Sequence, residues 1–203
     1  MGILRNWFGP SRAEIWSKLS AQLGGSYTKA TWRRSDRITV DHGHWTITLD
    51  TFTVHANNAQ IPFTRFRAPF LNTGRFRCKV YRSNLLATIG KWFGMQDVTI
   101  GDAAFDRDFV VKTNDEAKVR AFLASADLRT RLARLKHTTL DVVDHEGWFG
   151  RKFPADTDEL RVQIAGHVKD TEKLRELYAL FVVALDQLCL VGAAYADKPD
   201  FTL

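Results

Sequence analysis

The sequence predicts a single α+β domain over residues 1–203, with an extensive, curved antiparallel sheet, short helices and a long hydrophobic C-terminal helix packed in the core. Three observations lead there. Apolar residues alternate with period two in short runs between residues 26 and 82, with turn chemistry between the runs, as sequential antiparallel strands require. Capped helical segments interrupt the strands without regular strand–helix alternation, which argues against a parallel βαβ fold. Near the C-terminus, LYALFVVALDQLCLVGAAY is apolar on nearly every side, the pattern of a helix enclosed by other elements.

The elements follow in order. Ser11 and Glu14 form an S-x-x-E capping box for a helix at 11–23, with Ile15, Trp16, Leu19 and Leu23 at helical spacing. Gly24-Gly25 ends it. Strands are predicted at 26–33, 37–41 and 44–54, the last two joined by the turn DHGH. In the third, Trp45, Ile47 and Leu49 share one parity and Phe52 and Val54 the other, which predicts a bulge near Asp50-Thr51. Ala56-Asn57-Asn58 reads as a turn, and runs at 61–70 and 75–82 as a hairpin around Leu71-Asn72-Thr73-Gly74. A helix follows at 84–93, a strand at 105–113, and helices capped by Asn114 and starting near Ala126. Strands at 138–144, 148–153 and 160–166 lead into the helix at 171–194.

The stretch FDRDFVVKTNDEAKVRAFLASADLRTRL, from Phe105 to Leu132, resembles a pattern in a group of uncharacterised bacterial proteins: an F-x-x-x-F-x-V strand, an N/D-capped helix, and a short second helix. GMQDVTIGD before it and the Trp-containing first helix ending in Gly-Gly are similar too. The shared motifs are structural. The resemblance implies a bacterial cytosolic domain and carries over no catalytic residue.

Charge is distributed unevenly. Residues 51–96 hold seven basic residues and no Asp or Glu, while residues 97–203 hold fifteen basic and nineteen acidic ones, so a basic half 1–96 precedes an acidic half 97–203. Such asymmetry suits either an anionic partner or two halves that attract each other. Two cysteines, Cys78 and Cys189, suggest neither a disulfide framework nor a zinc site, and point to a reducing compartment. The start MGILRNWFGP lacks the apolar core of a signal peptide, so a cytoplasmic location is expected, with Ile3, Leu4, Trp7 and Phe8 beside Arg5 as a candidate membrane-peripheral contact. Asp186 and Gln187 in the middle of the last helix argue against a membrane span.

No catalytic set, metal site or cofactor is predicted. Asp102, Asp106 and Asp108 do not match the spacing of a calcium loop. His42-x-His44 and Asp144-His145-Glu146 read as turns, and there is no Walker loop, G-x-G-x-x-G or G-x-S-x-G. The leading candidate is basic. Strand alternation places Arg65, Arg67, Arg75, Arg77 and Lys79 on one face of the expected hairpin, where five like charges call for a counter-charge. An external anion, such as a lipid headgroup or another polyanion, is one source; Asp102, Asp106 and Asp108 are the expected internal source. The sequence therefore points first to a non-enzymatic binding domain for an anionic ligand or membrane surface. The competing readings are an enzyme with an unrecognised site, a protein-binding subunit, and a nucleic-acid binder using Arg129, Arg131, Arg134 and Lys136.

Overall fold

The computed structural model describes residues 10–32, 35–56, 59–84, 95–145 and 153–195. In chain order the elements are α1 (Arg12–Gln22), β1 (Ser26–Thr28), β2 (Arg37–His42), β3 (Trp45–Ala56), β4 (Ala59–Leu71), β5 (Cys78–Arg82), β6 (Gln96–Val98), α2 (Ala103–Asp108), β7 (Phe109–Thr113), α3 (Glu116–Leu123), α4 (Ala126–Arg134), β8 (Thr138–Val143), β9 (Thr157–Ala165) and α5 (Thr171–Leu190). The described strands form one antiparallel sheet in the order β1-β2-β3-β4-β9-β8-β5-β7-β6.

Alternation sends Ile47 and Leu49 of β3, Phe66, Ala68 and Phe70 of β4, Leu160, Val162 and Ile164 of β9, and Val80 of β5 to one face of the sheet, where the helices cover them. α5 lies there with Leu174, Leu177, Leu180, Phe181, Ala184, Leu185 and Leu188 buried, and Phe66 packs against Tyr178 and Phe181. Its opposite side is less apolar in place than its composition suggests, since Asp186 faces solvent and approaches His42 at 3.7 Å. Among the described residues no helix is long and apolar enough to cross a membrane. The capping box of α1 is formed, and Gly24 beyond it has φ +68°. Gly25 lies so close to β2 that a Cβ would sit 2.5 Å from the Thr39 carbonyl oxygen.

Several sequence expectations are corrected. Residues 105–113 are not one strand: Asp102 accepts hydrogen bonds from Ala104 N and Phe105 N and starts α2, and only Phe109–Thr113 is extended. One helical turn then stacks Phe105 on Phe109 at 4.4 Å between ring centroids. Asp115 rather than Asn114 caps α3. No bulge interrupts β3, whose register with β4 runs evenly from Thr48↔Arg67 to Ala56↔Ala59. Phe52 and Val54 lie opposite Phe63 and Ile61 on the second face of the sheet, so the parity change marks a hairpin whose end is apolar on the face that is charged nearer the sheet centre. β1 is shorter than expected, and α5 stops at Leu190, with φ +64° at Gly192. β4 and β5 do not form a hairpin, because β9 and β8 lie between them. Most of the helix expected at 84–93, most of the strand expected at 148–153 and the apolar N-terminal residues 3–8 lie outside the described residues.

Candidate functional site: a charged sheet face and the loop at its end

The second face of the sheet carries ionisable side chains in register. Neighbouring strands align Thr48, Arg67, Arg161, Asp141, Lys79, Lys112 and Asp97 in one row from β3 to β6. Arg67 faces Arg161 directly and Lys79 faces Lys112, arrangements that repel unless a carboxylate stands beside each pair. One does. Asp50 accepts from Arg65 Nε at 2.6 Å and lies 2.7 Å from Arg67 Nη2; Glu159 Oε2 lies 3.3 Å from Arg67 Nη1. Arg161 grips both oxygens of Asp141, at 3.0 and 2.8 Å. Lys112 Nζ lies 2.7 Å from Asp97. The Arg65 guanidinium also sits over the Phe52 ring, 4.5 Å from its centroid.

Asp50, Arg65, Arg67, Lys79, Asp141, Glu159 and Arg161 are all buried, Asp141 and Glu159 completely. Burial therefore governs their chemistry. It pushes the Glu159 carboxyl up, against the pull of Arg67 and Arg161. It opposes ionisation of Asp141 as well, but there the Arg161 fork and Lys79 prevail and hold the carboxyl below its ordinary range. Burial pushes Lys79 down to about 8, against the attraction of Asp141. Charges desolvated to this extent persist only when paired, and the pairs here join β3 to β4, β4 to β9 and β9 to β8.

The five cations singled out in the sequence are thus divided. Arg65, Arg67 and Lys79 are buried in this layer and matched by Asp50, Glu159 and Asp141. Arg75 and Arg77 sit at the end of the sheet, on the connection between β4 and β5, where Arg75 is exposed and Arg77 pairs with Asp144. Side chains pin this connection at three points. Asn72 donates Nδ2–H to Phe76 O at 2.7 Å and to Asp158 Oδ2 at 2.5 Å, and accepts from Phe76 N at 3.1 Å. Asn114 accepts from Arg77 N at 2.7 Å and donates to Arg75 O at 2.8 Å. Thr113 Oγ1 donates to Arg77 O at 2.8 Å. Arg75 itself is held at φ +50°, a left-handed conformation that favours glycine. Beneath the loop, burial pushes the Asp158 carboxyl up to about 6, opposed by its bond from Asn72 and by Arg77 and Arg75, and reinforced by Asp144.

Asp102, Asp106 and Asp108 are not the counter-charges of the arginine face. Asp102 caps α2 and lies 3.3 Å from Arg129 Nε; Asp106 accepts from Ile100 N and Gly101 N; Asp108 meets Arg107 and, at 4.0 Å, Arg82. Arg131 pairs with Asp127 on α4 itself. Among the described residues no three His, Cys, Asp or Glu side chains converge as metal ligands would. The partners that sequence reasoning missed are Asp141, Glu159 and Arg161. Their signal was present in β9, where Glu159, Arg161 and Gln163 alternate with Leu160, Val162 and Ile164, but alternation names a face and not a partner strand. Comparisons with protein-family models, with curated proteins and with solved structures find no match.

Proposed function

We propose that this chain is a non-enzymatic interaction domain for an anionic partner, held rigid by its internal charge layer. The supporting observation is where the excess charge lies. The buried layer sets four cations (Arg65, Arg67, Arg161, Lys79) against three carboxylates (Asp50, Asp141, Glu159), so it absorbs one of the chain's six net positive charges and leaves five elsewhere. A polyanion cannot use Arg65, Arg67 or Lys79 without breaking buried ion pairs, so recognition falls to cations that reach solvent.

The test is co-sedimentation with vesicles of phosphatidylcholine containing phosphatidic acid, across a salt series. Binding that is strong at low ionic strength and fades as the Debye length shrinks from about 30 to 3 Å is the expected result. Equal binding to pure phosphatidylcholine, or none to anionic vesicles and none to inorganic phosphate, overturns the reading.

A further inference from the structure

We propose that Arg75 and Lys118 form a binding site for a phosphate group at the loop between β4 and β5. The inference rests on the reading above and gives it a location and a ligand chemistry.

The first argument is conformational. At φ +50°, Arg75 occupies a position where glycine is strain-free and an arginine is not. Its backbone serves the fold, donating from Arg75 N to Asn72 O at 3.0 Å and accepting from Asn114. Its exposed side chain has no hydrogen bond or ion pair with any described residue. The fold requires this backbone, while the guanidinium adds the through-space attraction of the buried Asp158 carboxyl and keeps its hydrogen-bond donors open toward solvent, where an anion can take them.

The second argument is the company it keeps. The Lys118 ammonium lies over Gly74, where a Cβ would stand 3.3 Å from Nζ. Lys118 makes no hydrogen bond or ion pair with a carboxylate among the described residues, and Arg75 only feels Asp158 at longer range. Two cations from different elements, β4–β5 and α3, therefore flank adjacent loop residues. Arg77 is about one-third exposed and its charge is answered by Asp144. Asp158, the other carboxylate nearby, is buried beneath the loop and already engaged by Asn72.

The third argument is rigidity. Asn72, Thr113 and Asn114 fix the loop backbone from both sides. A site held in place before binding loses less freedom on binding. A guanidinium fork and a point-charge ammonium together suit an anion with several oxygens, such as phosphate, better than a lone halide.

The experiment follows backbone amide NMR shifts while inorganic phosphate is added to the wild type, Arg75→Gly, Lys118→Gln and Lys136→Gln. Glycine keeps the loop conformation while removing the cation, and Lys136 is an exposed cation elsewhere on the surface. Saturable shifts confined to residues 72–77 and 114–118, weakened about tenfold or more by the first two substitutions and untouched by the third, are expected. The same variants are then sedimented with phosphatidic acid vesicles. Loss there as well identifies a lipid headgroup as a source of the phosphate; loss with inorganic phosphate alone identifies a soluble one. Wild-type binding to vesicles that survives Arg75→Gly and Lys118→Gln, without loop shifts in phosphate, overturns this site and leaves the broader reading standing. Binding to neither probe overturns both.

Discussion

Replacing Arg67 by methionine tests whether the charged layer is a scaffold. Arg67 bridges three strands: its Nη2 reaches Asp50 on β3, 2.7 Å away, and its Nη1 reaches Glu159 on β9, 3.3 Å away. Methionine preserves most of the stem and removes both ion pairs. Asp50 keeps Arg65, which holds it through both Nε and Nη2. Glu159 is worse placed. It is fully buried, and Arg161 reaches its other oxygen at the longer distance of 3.9 Å. Breaking one partner out of a buried ion pair costs about 3–5 kcal/mol, because it leaves a desolvated charge. The substitution should therefore destabilise the protein by about that amount in urea denaturation followed by tryptophan fluorescence. The double variant Arg67→Met with Glu159→Met removes the orphaned charge along with its partner, and should recover at least about 1–2 kcal/mol relative to the sum of the single effects. The pH dependence has a definite sign. Loss of Arg67 raises the folded-state Glu159 carboxyl further above its unfolded value, so the favourable protonated form is present in acid and is lost as pH rises through the folded value. The single variant should thus be penalised less at pH 5 than at pH 8, on the scale set by ordinary carboxylates. A cost below about 1 kcal/mol, or strict additivity of the two substitutions, refutes the scaffold argument.

Asp158→Asn should stabilise the protein near neutrality while keeping the acceptor for Asn72. The Asp158 carboxyl is raised from 3.8 to about 6, so the wild type should lose up to about 3 kcal/mol as pH rises through that window; thermal melts from pH 4 to 7 should show this fall in the wild type and not in the variant. Arg75→Gly should raise stability by up to about 1 kcal/mol by relieving the left-handed backbone, and an unchanged or lowered urea midpoint contradicts the strain argument. Gly25→Ala should cost about 1–3 kcal/mol, since its Cβ meets the Thr39 carbonyl oxygen at 2.5 Å and backbone cannot yield as a side chain tip can; a neutral effect on the melting temperature rules that out.

The sequence by itself determined the local elements whose signals are local. The Ser11–Glu14 capping box, the Gly24 stop, the 45–56 and 37–42 strands and the C-terminal helix were legible because caps and periodicity act over a few residues. Where a local signal competed with another, it misled. FDRDF reads equally as alternation and as the i, i+4 spacing of one helical turn, and the Asp102 cap decided for the helix. The change of parity at Phe52 read as a bulge and was a change of environment along an unbroken strand.

Only the tertiary structure decided which charges meet. Arg65 and Arg67 were assigned correctly to a common face, but their neighbours come from β3 and β9, and Glu159 lies far along the chain from Arg67. Insertion of β9 and β8 between β4 and β5 separated Lys79 from the two arginines and set Glu159 beside Arg67 and Asp141 near Lys79. The same insertion left Arg75 at the end of the sheet, on a loop whose left-handed turn no alternation pattern encodes. Periodicity within a strand fixes which side chains share a face, because it follows from backbone geometry. Strand order fixes which of them touch, because it follows from the burial of the whole sheet against its helices, and that is a property of no single segment.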